Sequence, residues 1–291
     1  MKKALNLLTT IVLIISCLGI GYLLSPHEEV RPDVQMIQMP LAREDHNTVR
    51  VLSSIPYGND KRQSLDVYLP RGKDNFPVMF FIYGGAWSAG NKEMYGSVGY
   101  FYAKNGYATV IADHRLSPEV IHPAHIEDVA RAFAWTKNNI AVHGGNPGKI
   151  YVCGHSSGAH LVSLLATNTK YLTKEGADRT DIKGVVAISG IYSLGANINF
   201  AGYGHIFPTK EDKYDASPIN FLEKGVPPFV VLYADNDMKT LGSQATRFHR
   251  ALQVQGITSS LHCVKEKDHT TILLDCVTPD HSSKIVLDFM K

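Results

Sequence analysis

The amino-acid sequence predicts an α/β domain built on a mostly parallel sheet with helices on both faces. Three observations lead there. From residue 49 onward, short apolar runs alternate with segments of helical period, the pattern of repeated strand–helix units. Some of those runs, such as Pro77–Tyr83 (PVMFFIY), are apolar throughout, as strands covered on both faces must be. One strand-to-helix junction carries Gly154-His155-Ser156-Ser157-Gly158, a G-x-S-x-G sequence in the setting that gives it chemical meaning.

Val49–Ile55 and Ser64–Leu69 read as an antiparallel pair joined through Tyr57-Gly58-Asn59-Asp60. Pro77–Tyr83 is the first buried strand. Lys92–Asn105 has helical spacing and is stopped by Gly106, and Tyr107–Ala112 (YATVIA) is another buried strand. Ala124 to Ala141 places Ile126, Val129, Ala130, Phe133 and Ala134 on one helical face, with Pro123 where helices begin. Lys149–Gly154 reads as a strand and Ser157–Thr167 as a helix. Ile182–Ser189 and Pro228–Ala234 are strands, and Gly242–Gln255 is a helix ended by Gly256. Ser259–Val264 is the last strand, followed by one last helix. Gly190–Gly225, rich in Gly, Asn, Tyr and Phe, breaks the alternation and reads as an insertion over one edge of the sheet. There is no internal repeat.

The chain has 291 residues, 44% of them hydrophobic and 19% charged, which fits a large packed domain and excludes a disordered chain. Its formal charge of +2 is accounted for by Lys2 and Lys3, so the body offers no basic footprint for nucleic acid. Cys17, Cys153, Cys263 and Cys276 are too few for a disulfide-built scaffold and lack zinc spacing.

Ala4 to Leu24 contains no charged residue, a length close to the ~20 residues that cross a bilayer. With a basic start on one side only, residues 1–25 read as an uncleaved signal anchor or a lipoprotein signal, with the body outside the cytoplasm. Leu13-Ile14-Ile15-Ser16-Cys17 resembles the bacterial lipobox, which would make Cys17 a lipidated residue. The apolar run continues past it, which suits an anchor better. Residues 26–48 are polar, without clear period, and read as a stalk ahead of a 49–291 catalytic domain.

The G-x-S-x-G turn forces Ser156 into strained geometry and exposes its Oγ above the sheet. A serine hydroxyl needs a base, and that base needs an acid, in chain order Ser, Asp/Glu, His. Asp235 and Asp237 follow the strand PFVVLYA, and His269 follows the last strand. Asp237 is favoured, since the loop needs a few residues to turn before the acid reaches histidine; Asp235 is assigned to the turn. His249, mid-helix, and His262, mid-strand, read as structural, and His281 lies too far along. Attack on a carbonyl also needs oxyanion donors. Tyr83-Gly84-Gly85-Ala86-Trp87 follows the first buried strand, so the N–H groups of Gly85 and Ala86, with Gly84, would join that of Ser157.

These sequences together resemble the α/β-hydrolase superfamily, specifically its hormone-sensitive-lipase-like and BD-FAE-like esterases. YGGAW stands where that group has HGGGW or HGGAW. Asp113-His114-Arg115-Leu116-Ser117-Pro118-Glu119 resembles DYRLAPE, and Pro123-Ala124 with Glu127-Asp128 matches the segment after it. GHSSG resembles GHSAG. Ala234-Asp235-Asn236-Asp237 and Asp268-His269 match the acid and histidine segments. The resemblance covers about residues 50–291. It implies an eight-stranded sheet whose second strand is antiparallel, a Ser156–Asp237–His269 triad, and a carboxylesterase acting on a small ester without cofactor, metal or obligate protein partner. Aryl formamidases and prenylcysteine methylesterases share the pattern and are the alternative, and a non-catalytic binding protein on this fold is the alternative of another class. Tyr83 departs from the group's histidine, which leaves the geometry of the oxyanion loop open.

Three further groupings are weighed. Arg115 and Asp128 read as a structural ion pair. His122, His125 and Asp128 have helix-face spacing suited to a metal, against the plainer reading of a capped, solvated helix start. Cys153 reads as a buried small apolar residue. Cys263 and Cys276 bracket His269 and stand either as a bonded pair or as two buried thiols.

Overall fold

The computed structural model describes residues 48–72, 74–195 and 203–291. The expected membrane segment, and the stalk up to residue 47, lie outside the described residues. Among the described residues no helix is long and apolar enough to cross a membrane.

Eight strands form one sheet: β1 (Val49–Pro56), β2 (Ser64–Pro70), β3 (Phe76–Ile82), β4 (Ala108–Ala112), β5 (Gly145–His155), β6 (Ile182–Ile188), β7 (Phe229–Asn236) and β8 (Ser259–Asp268). Their spatial order is β1-β2-β4-β3-β5-β6-β7-β8. β2 runs antiparallel to both neighbours, and every other pairing beyond it is parallel.

Strand periodicity divides the core into two layers. Val78, Phe80 and Ile82 face one side, against helices α2 (Ala124–Asn139), α3 (Ser157–Thr167) and α6 (Leu241–Val254). Met79, Phe81 and Tyr83 face the other, against α1 (Gly96–Lys104), α7 (Thr271–Asp275) and α8 (His281–Phe289). The short helices α4 (Lys170–Lys174) and α5 (Lys210–Asp215) complete the set among the described residues. The apolar runs are continuous because both faces are covered, and each fully buried large side chain contributes about 1.5–3 kcal/mol.

The structure corrects several boundaries. The expected helix at Lys92–Asn105 opens instead as a 3-10 turn, Lys92–Tyr95. Asn91 caps that turn by accepting from the Met94 N–H, and α1 starts only at Gly96. The single C-terminal helix is two, because Asp280 and Ser283 form a fresh capping box after Pro279. β7 and β8 run on past their expected ends, to Asn236 and Asp268, which are partners in the ladder.

Cys153 is buried as expected, and of the two readings for Cys263 and Cys276 the bonded pair is overturned. Cys153, Cys263 and Cys276 are all free thiols. Cys276 and Val264 belong to the layer with α7 and α8. Cys263, one residue before Val264, points to the opposite face of the sheet, where it meets Tyr233. No bond across the sheet is open to the 263/276 pair.

Candidate active site

Strand register assembles the site before any side chain acts. Ile82 pairs with Gly154 and His155 with Ile188, so the Tyr83–Trp87 loop and the end of β6 flank the turn into α3. That turn is tight enough to require glycine: a Cβ on Gly158 would lie 2.1 Å from the Ile82 carbonyl oxygen. Ser156 sits at φ 54°, ψ −121°, with its N–H on the Ile188 carbonyl at 2.9 Å. Across the sheet the Asn236–Asp268 pair delivers the next residues, Asp237 and His269, side by side.

The structure brings the three predicted catalytic residues together. His269 Nδ1–H donates to Asp237 Oδ1 at 2.7 Å, and His269 Nε2 faces Ser156 Oγ at 2.9 Å. The Asp237 side chain is 3% exposed. Burial alone would raise its carboxyl, but hydrogen bonds from His269 and Ser189 outweigh burial and hold it below the usual carboxylate range. Asp237 is therefore ionised whenever His269 needs it. Asp235 is exposed and accepts instead from the Lys267 N–H of β8 at 3.3 Å, so it ties two strand ends together. His249 pairs with Ser259 and His262 with Ser260, away from this group, while His281 opens α8.

Of the predicted oxyanion donors, Gly84 lies against the elbow: a Cβ there would meet Ser156 Cβ at 2.9 Å. Gly85 adopts φ 142° and spends its carbonyl on the Ser88 and Ala89 N–H groups. Ala86 follows at φ 53°. Ser157 opens α3, and the first N–H groups of a helix have no partner within it.

Tyr83 answers for the missing histidine. Its hydroxyl donates to Asp113 Oδ1 at 2.7 Å and accepts from Arg62 Nη2 at 3.1 Å. Arg62 Nη2 also reaches the Gly90 carbonyl at 2.6 Å, closing the far end of the loop. Burial, then the Asp113 charge, push the Tyr83 phenol far up, so it stays protonated.

Residues 65–252 match the model of the BD-FAE family, more than half of the chain. The chain belongs to the BD-FAE family. It adopts the α/β-hydrolase fold, and a solved carbohydrate esterase from gut microbiota, in truncated form, superposes with a TM-score of 0.74. That structure is 25% identical and covers 84% of this chain and 96% of its own. Esterase LipQ of Mycobacterium tuberculosis is 31% identical over 82% of this chain and 61% of LipQ. Kynurenine formamidase of Danio rerio is 25% identical over 89% of this chain and 87% of its own length. The chain spans about three fifths of the length of several curated relatives it matches, LipQ among them.

Within this BD-FAE domain, two functional contacts escaped sequence reasoning. Ser189, at the end of β6 with φ 51°, donates its hydroxyl to Asp237 Oδ2 at 2.6 Å. His155 Nε2–H donates to the His269 carbonyl at 2.8 Å, which ties the elbow to the loop of the base. Burial, reinforced by nearby His269, lowers His155 to about 3, so it remains neutral. Its adjacency to Ser156 and the position of Ser189 after a buried strand were the only signals the sequence carried.

The candidate metal grouping is not assembled. His122 turns to Asp215, His125 to Ser117, and Asp128 to Arg115 and Gln63. Among the described residues no group of three His, Cys, Asp or Glu is placed to hold a metal ion. The solvated reading is also corrected, since both histidines are buried beneath the insertion and the loop after β4. Arg115 and Asp128 do form the expected pair, at 2.7 Å.

Proposed function

We propose that this protein is a serine hydrolase of carboxylic esters that works through an acyl-enzyme. The reading rests on the Ser156–His269–Asp237 hydrogen-bonded chain at a strained elbow. His269 Nε2 takes the Ser156 proton as Oγ attacks the ester carbonyl. Asp237 holds the imidazole in the tautomer with hydrogen on Nδ1 and stabilises the imidazolium. The N–H groups of Ser157, Gly85 and Ala86, in the turn that begins at Gly84, receive the negative oxygen. His269 then protonates the departing alcohol, and water, activated by the same base, releases the acid.

A small ester is the substrate. The formamide bond of an aryl formamide is the second reading, favoured by the match to kynurenine formamidase along nearly all of both chains. A serine-directed fluorophosphonate probe, used on the wild type and Ser156→Ala, tests the class. Labelling lost on substitution, with at least a hundredfold loss of short-ester hydrolysis, is expected. A variant that retains a tenth of the wild-type rate removes Ser156 from the mechanism, and no labelling of the wild type makes the protein a binding module. Parallel rates on acyl esters, acetylated sugars and an aryl formamide separate the substrate readings.

The charge-free Ala4–Leu24 run is the proposed membrane tether, with the catalytic domain outside the cytoplasm. Release of the full chain from membranes by salt alone would remove that assignment.

A further inference from the structure

Ala86 and Trp87 are consecutive non-glycine residues in the left-handed region, at φ 53° and 58°. Two such residues in sequence relax unless something holds them. The hold is on Trp87. Its ring is 2% exposed and meets His160, Tyr203 and Phe207 edge-on at 5.2, 5.6 and 5.1 Å. Its carbonyl accepts from the Ser117 N–H at 2.9 Å. Its indole Nε1–H reaches His160 Nδ1 at 3.1 Å.

An indole nitrogen only donates, so His160 Nδ1 must be the acceptor. The other ring nitrogen, Nε2, lies 2.6 Å from the carbonyl oxygen of Ala216, which only accepts, so Nε2 carries the hydrogen. The two partners together admit a single tautomer. His160 stands one helical turn after the nucleophile: its N–H bonds the Ser156 carbonyl at 3.0 Å. One imidazole therefore joins the nucleophile helix, the oxyanion loop and the Gly190–Gly225 insertion. Burial lowers it to about 4, which keeps the accepting lone pair available at neutral pH.

We propose that His160 is a positioning residue for the oxyanion donors, holding the Trp87 indole and thereby the Ala86–Trp87 turn in place. This rests on the ester-hydrolase reading above. The Ala216 carbonyl sets the tautomer, so the docking of the insertion is felt at the donors.

The test is a double-mutant cycle on kcat and KM for a short p-nitrophenyl ester, with the full chain. Trp87→Phe, which removes the indole N–H, and His160→Leu each lower kcat about tenfold or more and leave KM within about threefold. The double variant is no slower than the slower single, because both substitutions break one link. His160→Asn, whose amide oxygen can take the Nδ1 position, recovers part of kcat. His160→Gln, which reaches the Nε2 position, does not. Additive losses, a loss confined to KM, or no advantage of Asn over Leu would each overturn the proposal. If His160→Leu fails to fold, Trp87→Phe carries the test, and unchanged kcat overturns it. Failure of the underlying reading is seen separately, as hydrolysis that survives Ser156→Ala.

Discussion

Lowering the pH from 7 to 5 is expected to remove several kcal/mol of this domain's stability. Four histidines are buried as neutral rings: His114, His125, His155 and His160 are each at most 1% exposed. Burial, the largest cause for all four, lowers them to about 4, 2, 3 and 4. In the unfolded chain each returns to about 6.5. A group depressed on folding contributes stability that is present above the unfolded value and is lost as pH falls toward the folded one. Between pH 7 and 5 the loss is about 2 kcal/mol for each ring and about 7 kcal/mol for the four. A domain holds only about 5–15 kcal/mol in total. His122, lowered by burial despite Asp215, adds in the same direction. Asp66 and Asp113 are raised by burial and so work in the opposite sense. Equilibrium urea unfolding at half-unit pH steps reads the effect, and the slope near pH 5.5 gives uptake of about four protons. His125→Gln, which keeps a donor for Ser117, lowers that uptake by about one. Less than about 2 kcal/mol lost between pH 7 and 5 would refute the neutral burial of these rings.

Asp237→Asn lowers kcat by roughly 10³–10⁴, while Asp235→Asn stays within about twofold, since only the first meets the imidazole. Steady-state kinetics decides, and the reverse ranking moves the acid to Asp235. Ser189→Ala leaves Asp237 Oδ2 with the Ala234 N–H at 3.2 Å and removes a charge-assisted hydrogen bond of about 1.5–3 kcal/mol. A fall in kcat of about tenfold and an acid limb of the pH–rate profile shifted upward are expected, and an unmoved profile separates Ser189 from the acid.

Legibility followed the physics of each element. Strands such as β3 were plain because burial on both faces leaves no polar residue to blur the run. The Ser156 elbow was plain because its turn demands glycines at fixed positions. The start of α1 was not, because Lys92 reads as an ordinary surface helix residue. In the fold it is 3% exposed, its N–H is on Asp113 Oδ1 at 2.8 Å, and its ammonium is 3.5 Å from Asp66. The ends of β7 and β8 were missed because Asp235, Asn236 and Lys265 to Asp268 are polar, at the edge where Asp237 and His269 emerge. Between a bonded pair and two thiols the period of two decided: spacing in sequence said nothing about which face of β8 Cys263 would take relative to Cys276. His122 and His125 looked solvated because a helix start usually is, but the insertion covers His122 through Asp215 and Phe207, and the loop after β4 covers His125 through His114 and Ser117.

The same distinction explains why the strained backbone around the site left so faint a sequence signal. Ala86, Trp87, Ser156 and Ser189 all lie at φ between 51° and 58°, beyond the ends of β3, β5 and β6. Each such backbone costs on the order of 1–3 kcal/mol, and only a surrounding structure that over-determines it keeps it there. Here that structure is the sheet and its covering layers. The Ser156 and Ser189 N–H groups are fixed to the carbonyls of Ile188 and Leu232 on the adjacent strands, and Trp87 is fixed by packing and by His160. Relaxing any one of these residues would cost a strand-end hydrogen bond or a buried indole contact. In the proposed mechanism the donors and the nucleophile are thus set before a substrate arrives, so their alignment need not be drawn from binding energy at the moment of attack. At Ser156 the flanking glycines advertise the strain. At Ala86, Trp87 and Ser189 the residue type itself resists the conformation it adopts, and the cause lies in partners on other elements.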